Sequence, residues 1–372
     1  MHPKGIGELL FAGQSGSGVL SFRAMEKSRI VIVLLAVLAL VAVGVVLKSA
    51  QSVILPLILA WLLSYILGPV VGFLTRRRIP APIAVGIVLV LLIGLCYVGV
   101  VFVNARISTF ITAYPKYHAK ITQFMQAMTS SIDMPSNPLA KIDWGQKFSA
   151  FLISLSGFMV VFVSKLVMVI IFLVFMLLGK PFFQYKVRKA FRPEYAVSIE
   201  HVMNTISGQI GRYLTVQVLV SFVTGVLVWL ALSWLGVDFA LTWGALAFFL
   251  NFVPTVGSIA ASIPPILLAL VQYYPNYWVA AICTICLLAI HMSLGHLVVP
   301  KVMGDRLNLS PVVVLLSLVF WGWLWGIVGA LISIPIAAAI KIVCENVEPL
   351  HPIGVLMGSG GPIKKEMEAA GR

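Results

Sequence analysis

The sequence predicts an all-α, polytopic transmembrane protein. Of its 372 residues, 60% are hydrophobic and only 10% are charged, whereas about 25% of residues are charged in an ordinary soluble domain. The mean hydropathy is +1.05, and the apolar residues occur in long runs separated by short basic segments. Such runs are typical of transmembrane helices, because backbone amides inside a bilayer must be hydrogen-bonded within the protein.

The net charge of +14 does not indicate a nucleic-acid-binding protein. The basic residues lie beside the apolar runs, so we expect them to set membrane orientation and to contact anionic lipids.

The four cysteines are too few for a disulfide framework. Cys283 and Cys286 form a CxxC pair, with His291 and His296 following, but nothing completes a four-ligand metal site. Neither a metal nor a cofactor is predicted.

The chain is predicted to contain about eight apolar helical segments within residues 25–347. Residues 1–24 are Gly- and Ser-rich and are interpreted as a disordered tail or as a misplaced start, and residues 348–372 form a C-terminal tail. Six segments are long enough to cross a bilayer as single helices: residues 30–47, 52–74, 82–103, 158–178, 214–235 and 279–299. The other two, at about 240–271 and 310–340, are interrupted by Pro and Gly and are predicted to be broken, re-entrant-like hairpins.

Two longer segments separate the spans. Residues 104–157 have a mixed composition that predicts short helices outside the membrane on its outer surface, and residues 180–212 predict a cytoplasmic amphipathic helix. The proposed inner segments hold 19 Lys and Arg residues and the outer ones hold six. Because basic residues concentrate in cytoplasmic loops, both termini are predicted to be cytoplasmic.

The first hairpin is interrupted by Asn251-Phe-Val-Pro-Thr-Val-Gly-Ser258, in the middle of a long apolar region. Inside a bilayer, freed backbone groups are tolerated only beside protein or a water-filled cavity. The second hairpin ends in nearly the same residues, since Val256-Gly-Ser-Ile-Ala-Ala-Ser-Ile-Pro264 resembles Val328-Gly-Ala-Leu-Ile-Ser-Ile-Pro335. Paired broken hairpins are the pattern with which transporters build a midplane site.

The residues predicted to line a transport pathway are polar or interrupt a helix, and together they suit an uncharged, hydroxyl-rich solute: Asn251, Pro254, Thr255, Gly257, Ser258, Ser262, Gln217, Thr224 and Ser333. Gln217 and Thr224 are seven residues apart, so they lie on one stripe of the fifth span. The alternative interpretation is that Ser, Thr, Gly and Ala at these positions allow helices to pack closely.

Ion coupling has weaker support in the sequence. A carboxylate within the membrane is the usual carrier of a proton or sodium ion, and all twelve acidic residues lie in tails, loops or interfaces of the predicted topology. Asp238, Lys165 and His291 are the candidates for ion coupling or gating, although Lys165 is near enough to the start of its span to snorkel outward. No HExxH or placed nucleophile motif occurs, so an enzyme is not predicted.

Two stretches resemble a known family. Val237-Asp-Phe-Ala-Leu-Thr-Trp-Gly, running on through Asn251-Phe-Val-Pro to Pro265, is similar to the signature region of the autoinducer-2 exporter (AI-2E) family, as are Pro300-Lys-Val-Met-Gly-Asp-Arg306 and Phe320-Trp-Gly-Trp323. The resemblance covers about residues 25–350 and is greatest for the branch that exports a quorum signal.

The resemblance implies a multi-pass protein of the bacterial inner membrane that forms a homo-oligomer, with a ring of five as the candidate arrangement. It also implies export of a small hydrophilic signal such as autoinducer-2. Sodium(lithium)/proton antiport is one alternative function, and an oligomeric membrane scaffold without transport is another.

Overall fold

The computed structural model describes residues 31, 34–35, 38–39, 41–131, 165–179, 182–183, 185–253, 256–299 and 308–360. Two compact units are distinguished, Met1–Ile54 and Leu55–Arg372. The helices, in chain order, are α1 (residues 41–49), α2 (Gln51–Arg76), α3 (Ala81–Ser131), α4 (Lys165–Gly179), α5 (Pro193–Trp234), α6 (Ala240–Leu250), α7 (Val256–Gln272), α8 (Trp278–Met292), α9 (Pro311–Asn346) and α10 (His351–Met357). A π-helical turn, Ser293–Val298, extends α8, and a short 3-10 turn, Glu348–Leu350, precedes α10.

The described helices confirm an all-α polytopic membrane protein. Within the described ranges, five helical segments are long and apolar enough to cross a membrane: Gln51–Arg76, Ala81–Arg106, Pro193–Trp234, Trp278–Gly295 and Pro311–Asn346. Their large apolar side chains are widely exposed, as at Leu95 and Ile285, which are 70% and 66% exposed. A water-soluble surface rarely carries such continuous apolar exposure, whereas lipid tails accommodate it. The predicted spans at 30–47 and 158–178 lie partly outside the described residues.

The third predicted span continues well beyond the membrane as one helix. α3 runs unbroken for 51 residues from Ala81 to Ser131, which is about 75 Å at the α-helical rise. Hydrocarbon about 30 Å thick cannot contain that length, so the part of α3 after Arg106, here called the α3 arm, projects from it. The mixed composition of residues 104–131 predicts separate short helices, but the polar residues occur on a continuous helix instead. Residues 132–157 lie outside the described part of the chain.

The helix predicted at residues 180–212 is continuous with the fifth span from Pro193 onward. Residues 193–212 form the first half of α5, whose 42 residues are continuous. α5 begins with Pro193, at a position where the missing N–H has no helical partner to lose. Just before it, the Arg188 Nη2 donates to Glu200 Oε2 at 2.9 Å, which fixes the helical residues 185–190 against α5.

Two apolar clusters hold the second unit together. In one, Ala60 of α2 packs with Val169 and Leu173 of α4, and residues of α3 cover them. The other joins α5, α6, α7 and α8 around residues such as Leu232 and Cys283. In this region α5 and α6 approach each other closely at two glycines, because a β-carbon on Gly244 of α6 would lie 2.6 Å from the Gly225 carbonyl oxygen of α5.

The second predicted hairpin is a chain reversal inside α9. Trp325 and Gly326 leave the helical conformation, and Gly326 has a φ of 66°, which favours glycine. A β-carbon on Gly329 would lie 1.9 Å from the Trp321 carbonyl oxygen, although residues eight apart in a straight helix are separated by about 12 Å. The two limbs, residues 311–324 and 327–346, therefore lie side by side.

The first hairpin is built in the same way. α6 ends at Leu250, residues 251–253 form a turn, and α7 begins at Val256. A β-carbon on Gly257 would lie 1.8 Å from the Leu250 carbonyl oxygen. Gly257 and Gly329 occupy the same place in the repeated Val-Gly motif, and each allows the second limb to pack onto the backbone of the first.

Limb length favours re-entry for both hairpins. α6 has 11 residues and the first limb of α9 has 14, which correspond to about 16 Å and 21 Å. A helix needs about 20 residues to cross the hydrocarbon. The first limb of each hairpin is therefore too short to cross alone, and the second limb returns toward the side from which the first entered.

Candidate functional site

The turn of the first hairpin forms a polar contact with α5. The Gln217 Nε2 donates to the Asn251 carbonyl oxygen at 2.7 Å, and the Asn251 Nδ2 donates to the Ser221 hydroxyl oxygen at 3.0 Å. Asn251 is the C-terminal cap of α6, where carbonyl groups lose their helical partners. Gln217, Ser221 and Asn251, here called the polar seam, therefore satisfy backbone and side-chain groups at a break inside an apolar region.

The predicted hydroxyl groups make a different kind of contact. Thr224, Ser262 and Ser333 are buried, and each donates its hydroxyl proton to a carbonyl oxygen of its own helix at 2.7 to 2.8 Å. Ser258 supplies the carbonyl that accepts the bond from Ser262. These hydroxyls are satisfied without a solute, which is the arrangement expected where small polar residues allow close packing. Pro254 and Thr255 lie outside the described residues.

Asp238 joins the α3 arm to the open end of the first hairpin. Its carboxylate accepts hydrogen bonds from the Lys116 ammonium, at 2.9 Å, and from the Tyr117 hydroxyl. The backbone N–H of Asp238 donates to Gln272 Oε1 at 2.9 Å, and the Lys120 ammonium donates to the Gln272 carbonyl oxygen at 2.6 Å. The network of Lys116, Tyr117, Lys120, Asp238 and Gln272, here called the Asp238 network, joins α3, α7 and the turn between α5 and α6.

The network fixes the protonation states of its members. Burial by itself raises the pKa of Asp238, but hydrogen bonds from Tyr117 and Lys116 and the positive charges of Lys116 and Lys120 outweigh burial and hold that pKa below its usual value. Burial and the hydrogen bond to Asp238 raise the pKa of Tyr117 far above its usual value. At neutral pH the carboxylate is therefore ionised and the phenol is a neutral donor.

A cleft of about 520 Å³ lies between α2 and α5. Ser64 and Gly68 line it from α2, and Ser207, Gly208, Arg212 and Thr215 line it from α5. Arg212 is exposed and is the only charged residue among those lining the cleft. Thr215 is two residues from Gln217, so the cleft and the polar seam lie at nearly the same level of α5, on different faces of the helix.

In the described part of the chain, the remaining candidates for ion coupling make no hydrogen bond to the polar seam. Lys165 is the first described residue of α4, and its side chain is exposed. His291 is in the last turn of α8, and both nitrogen atoms of its imidazole are buried without a hydrogen-bond partner in the described part of the chain. The π-helical turn Ser293–Val298 follows it directly, and such turns often occur at functional sites.

Sequence reasoning missed three features of this region. Ser221 lies between Gln217 and Thr224 on the same stripe, so its spacing could have revealed it. Lys116 and Tyr117 carry no local signal, because their partner is more than a hundred residues away. Lys341 is 5% exposed, and its ammonium is 2.7 Å from the Glu345 carboxylate on the same helix. Their separation of four residues predicts an ion pair but gives no sign that Lys341 is buried.

A family model described as the AI-2E family transporter matches residues 30–348. The chain belongs to the AI-2E transporter family. Another member, the AI-2 transport protein TqsA of Escherichia coli K12, is 30% identical over 334 residues, which cover 88% of this chain and 95% of that protein. The region that matches the family model therefore includes nearly all of the described helices.

Two relatives carry names that call them candidate transport proteins. A protein of Borreliella burgdorferi is 34% identical over 322 residues, covering 87% of this chain and 89% of its own length. The YhhT protein of Escherichia coli K12 is 32% identical over 340 residues, which cover 89% of this chain and 95% of that protein. Transport is thus the activity class of this family, which makes an enzyme unexpected.

Proposed function

We propose that this AI-2E family member exports a small hydrophilic signal such as autoinducer-2 across the bacterial inner membrane. The observation that carries the proposal is the polar seam, because Gln217, Ser221 and Asn251 place hydrogen-bonding groups at a helix break in an apolar region. Broken helices at this depth are the sites where transporters bind their substrates. The similarity to TqsA, a protein named for AI-2 transport, supports the choice of solute.

The seam suits a solute with many hydroxyl groups. An amide side chain provides both donors and acceptors, and Ser221 adds a hydroxyl, whereas no ionised group is part of the seam. The residues already bond to one another in this structure, so a solute must replace those bonds. We propose that the first hairpin moves relative to α5 and that hydrogen bonds to the solute then replace the bonds within the seam.

Flux of labelled autoinducer-2 tests the proposal directly. Purified protein in liposomes loaded with the labelled signal is expected to release it faster than protein-free liposomes, with and without ion gradients. Release equal to that of protein-free liposomes contradicts export and favours a membrane scaffold without transport.

Sodium/proton antiport is the second candidate, and His291 is the observation that favours it. A buried imidazole without hydrogen-bond partners in the described residues can accept a proton within an apolar helix. Asp238 is less suited to carry the proton, because its network holds the carboxylate ionised. Proton release from proteoliposomes on addition of sodium, abolished by His291→Asn and retained by Asp238→Asn, supports antiport, and its absence in the unchanged protein contradicts it.

A further inference from the structure

The cleft between α2 and α5 differs from the polar seam because its chemistry includes a permanent charge. Arg212 carries a guanidinium with five N–H donors, and no acidic residue lines the cleft. Among the described residues, no hydrogen bond or ion pair engages the Arg212 side chain. Ser64 and Thr215 donate their hydroxyl protons to their own helices, at 2.6 Å and 2.8 Å, so their oxygen atoms remain available as acceptors.

Small residues keep the cleft open. A β-carbon on Gly68 or Gly208 would meet nothing within 4 Å. Where the helices come closer, a β-carbon on Gly211 would lie 3.7 Å from the Tyr65 β-carbon. Larger side chains at these positions would occupy the space between α2 and α5, so the glycines account for the volume of the cleft.

The position of the cleft along both helices identifies the side on which it opens. α2 ends at Arg76 and is followed by Arg77 and Arg78, while α5 begins just after Arg192. Ser64 and Gly68 lie in the half of α2 nearer to Arg76. Arg212 is about 33 Å from the far end of α5 at Trp234, which places it near the membrane boundary on the basic side. Basic residues mark the cytoplasmic side.

We propose that this cleft is the cytoplasmic entry site for the transported solute and that Arg212 selects, among small hydroxylated solutes, those that carry a negative charge. The inference rests on the proposed transport function and specifies the substrate class. A planar guanidinium binds carboxylate, phosphate and similar oxyanions through paired hydrogen bonds, while the hydroxyl oxygens of Ser64 and Thr215 accept from hydroxyl groups of the solute. From the cleft, the polar seam is about one helical turn away along α5.

The test measures protection of a cysteine in the cleft. Ser207→Cys is introduced into a full-length chain whose four native cysteines are replaced by alanine, and everted membrane vesicles expose the cytoplasmic face to a membrane-impermeant maleimide. Two probes of matched size are compared, xylonate, which is anionic, and xylitol, which is neutral. Xylonate is expected to slow labelling about tenfold more than xylitol, the effect of one charge-assisted hydrogen bond.

Matched variants separate a local site from a general charge effect. Arg212→Gln is expected to remove the difference between the probes, whereas Arg192→Gln, which removes a basic residue on the same side outside the cleft, is expected to retain it. Gly68→Leu should abolish protection by filling the cleft, while Gly72→Leu, one turn away on the same helix and outside the lining, should not. Equal protection by the two probes, or a difference that survives Arg212→Gln, overturns the proposal.

The outcome is independent of the outcome for transport. Labelling requires no flux, so protection by xylonate in a protein that releases no autoinducer-2 supports selective binding of an anion at Arg212 and contradicts the export of autoinducer-2. Flux of autoinducer-2 without any protection at Ser207→Cys supports export and contradicts the entry site.

Discussion

The two broken hairpins have the same kind of turn but differ in their polar contacts. In both, the glycine of the Val-Gly motif lies against a carbonyl of the preceding limb, at Leu250 and at Trp321. In the first hairpin, the Asn251 side chain donates to Ser221 of α5, and the Asn251 carbonyl oxygen accepts from Gln217 of the same helix. In the second, the fully buried Ser333 bonds to its own limb.

The difference shows that the repeated motif specifies chain reversal and that residues outside it supply the polar seam. Gly257 and Gly329 each lie where the two limbs of a hairpin touch through their backbones, and a larger residue does not fit there. Asn251 precedes the repeated segment, and its partners belong to α5. We therefore infer that the first hairpin contains the moving, solute-binding part of the pathway and that the second is a packed counterpart.

The largest effect is expected from adding one carbon at either hairpin glycine. Gly257→Ala and Gly329→Ala each place a β-carbon less than 2 Å from a backbone oxygen, so the limbs must separate. We expect each to lower the free energy of unfolding by at least about 2 kcal/mol, or to prevent folding. Thermal unfolding and yield of the detergent-purified protein measure this.

The control for that prediction lies in the same hairpin. A β-carbon on Gly322 would be 3.7 Å from the Ala330 β-carbon, an ordinary contact, so Gly322→Ala is expected to unfold near the temperature of the unchanged protein. If Gly329→Ala is as stable as Gly322→Ala, the side-by-side arrangement of the two limbs is wrong.

The next effect distinguishes the hairpins. Gln217→Leu removes the donor to the Asn251 carbonyl and leaves that partly buried oxygen without its partner, which costs about 1–3 kcal/mol. Ser333→Ala removes a hydroxyl that serves only its own limb, and we expect a cost below about 1 kcal/mol. Unfolding temperatures of the two purified variants measure the contrast, and equal losses would remove the distinction between the hairpins.

A smaller effect is expected at the open end of the first hairpin. Because the pKa of Asp238 is lowered in the folded protein, its ion pair contributes stability above the usual pKa of an aspartate and loses it as the pH falls through the folded value. The side chains of Lys116 and Asp238 are 57% and 37% exposed, so we expect their ion pair to contribute less than about 1 kcal/mol to the free energy of unfolding. Unfolding temperatures of the unchanged protein and Asp238→Asn should differ by a constant amount between pH 6 and pH 8, and converge only at acidic pH. Convergence on raising the pH instead would show that another group controls the network.

Much of this arrangement could be predicted from the sequence because it follows from local patterns. Apolar runs predict the helices, Pro254 and Gly257 predict a break, and the repeated motif predicts that the break occurs twice. The Asp238 network could not be predicted, since Lys116 and Tyr117 are distant in the chain and lie in a segment without a clear pattern. The cleft was missed for a similar reason, because glycines on α2 and α5 define it only when the helices are placed side by side.

The account depends most directly on whether the polar seam opens to water during transport while the second hairpin stays closed. Ser221 and Ser333 are a matched pair for this purpose, because both are 0% exposed in the structure. Each is replaced by cysteine in a chain without native cysteines, and labelling by a small, membrane-impermeant thiol reagent is followed with and without autoinducer-2. The account predicts that the solute makes Ser221→Cys reactive and leaves Ser333→Cys unreactive, and it is contradicted if both stay sealed or if Ser333→Cys alone reacts.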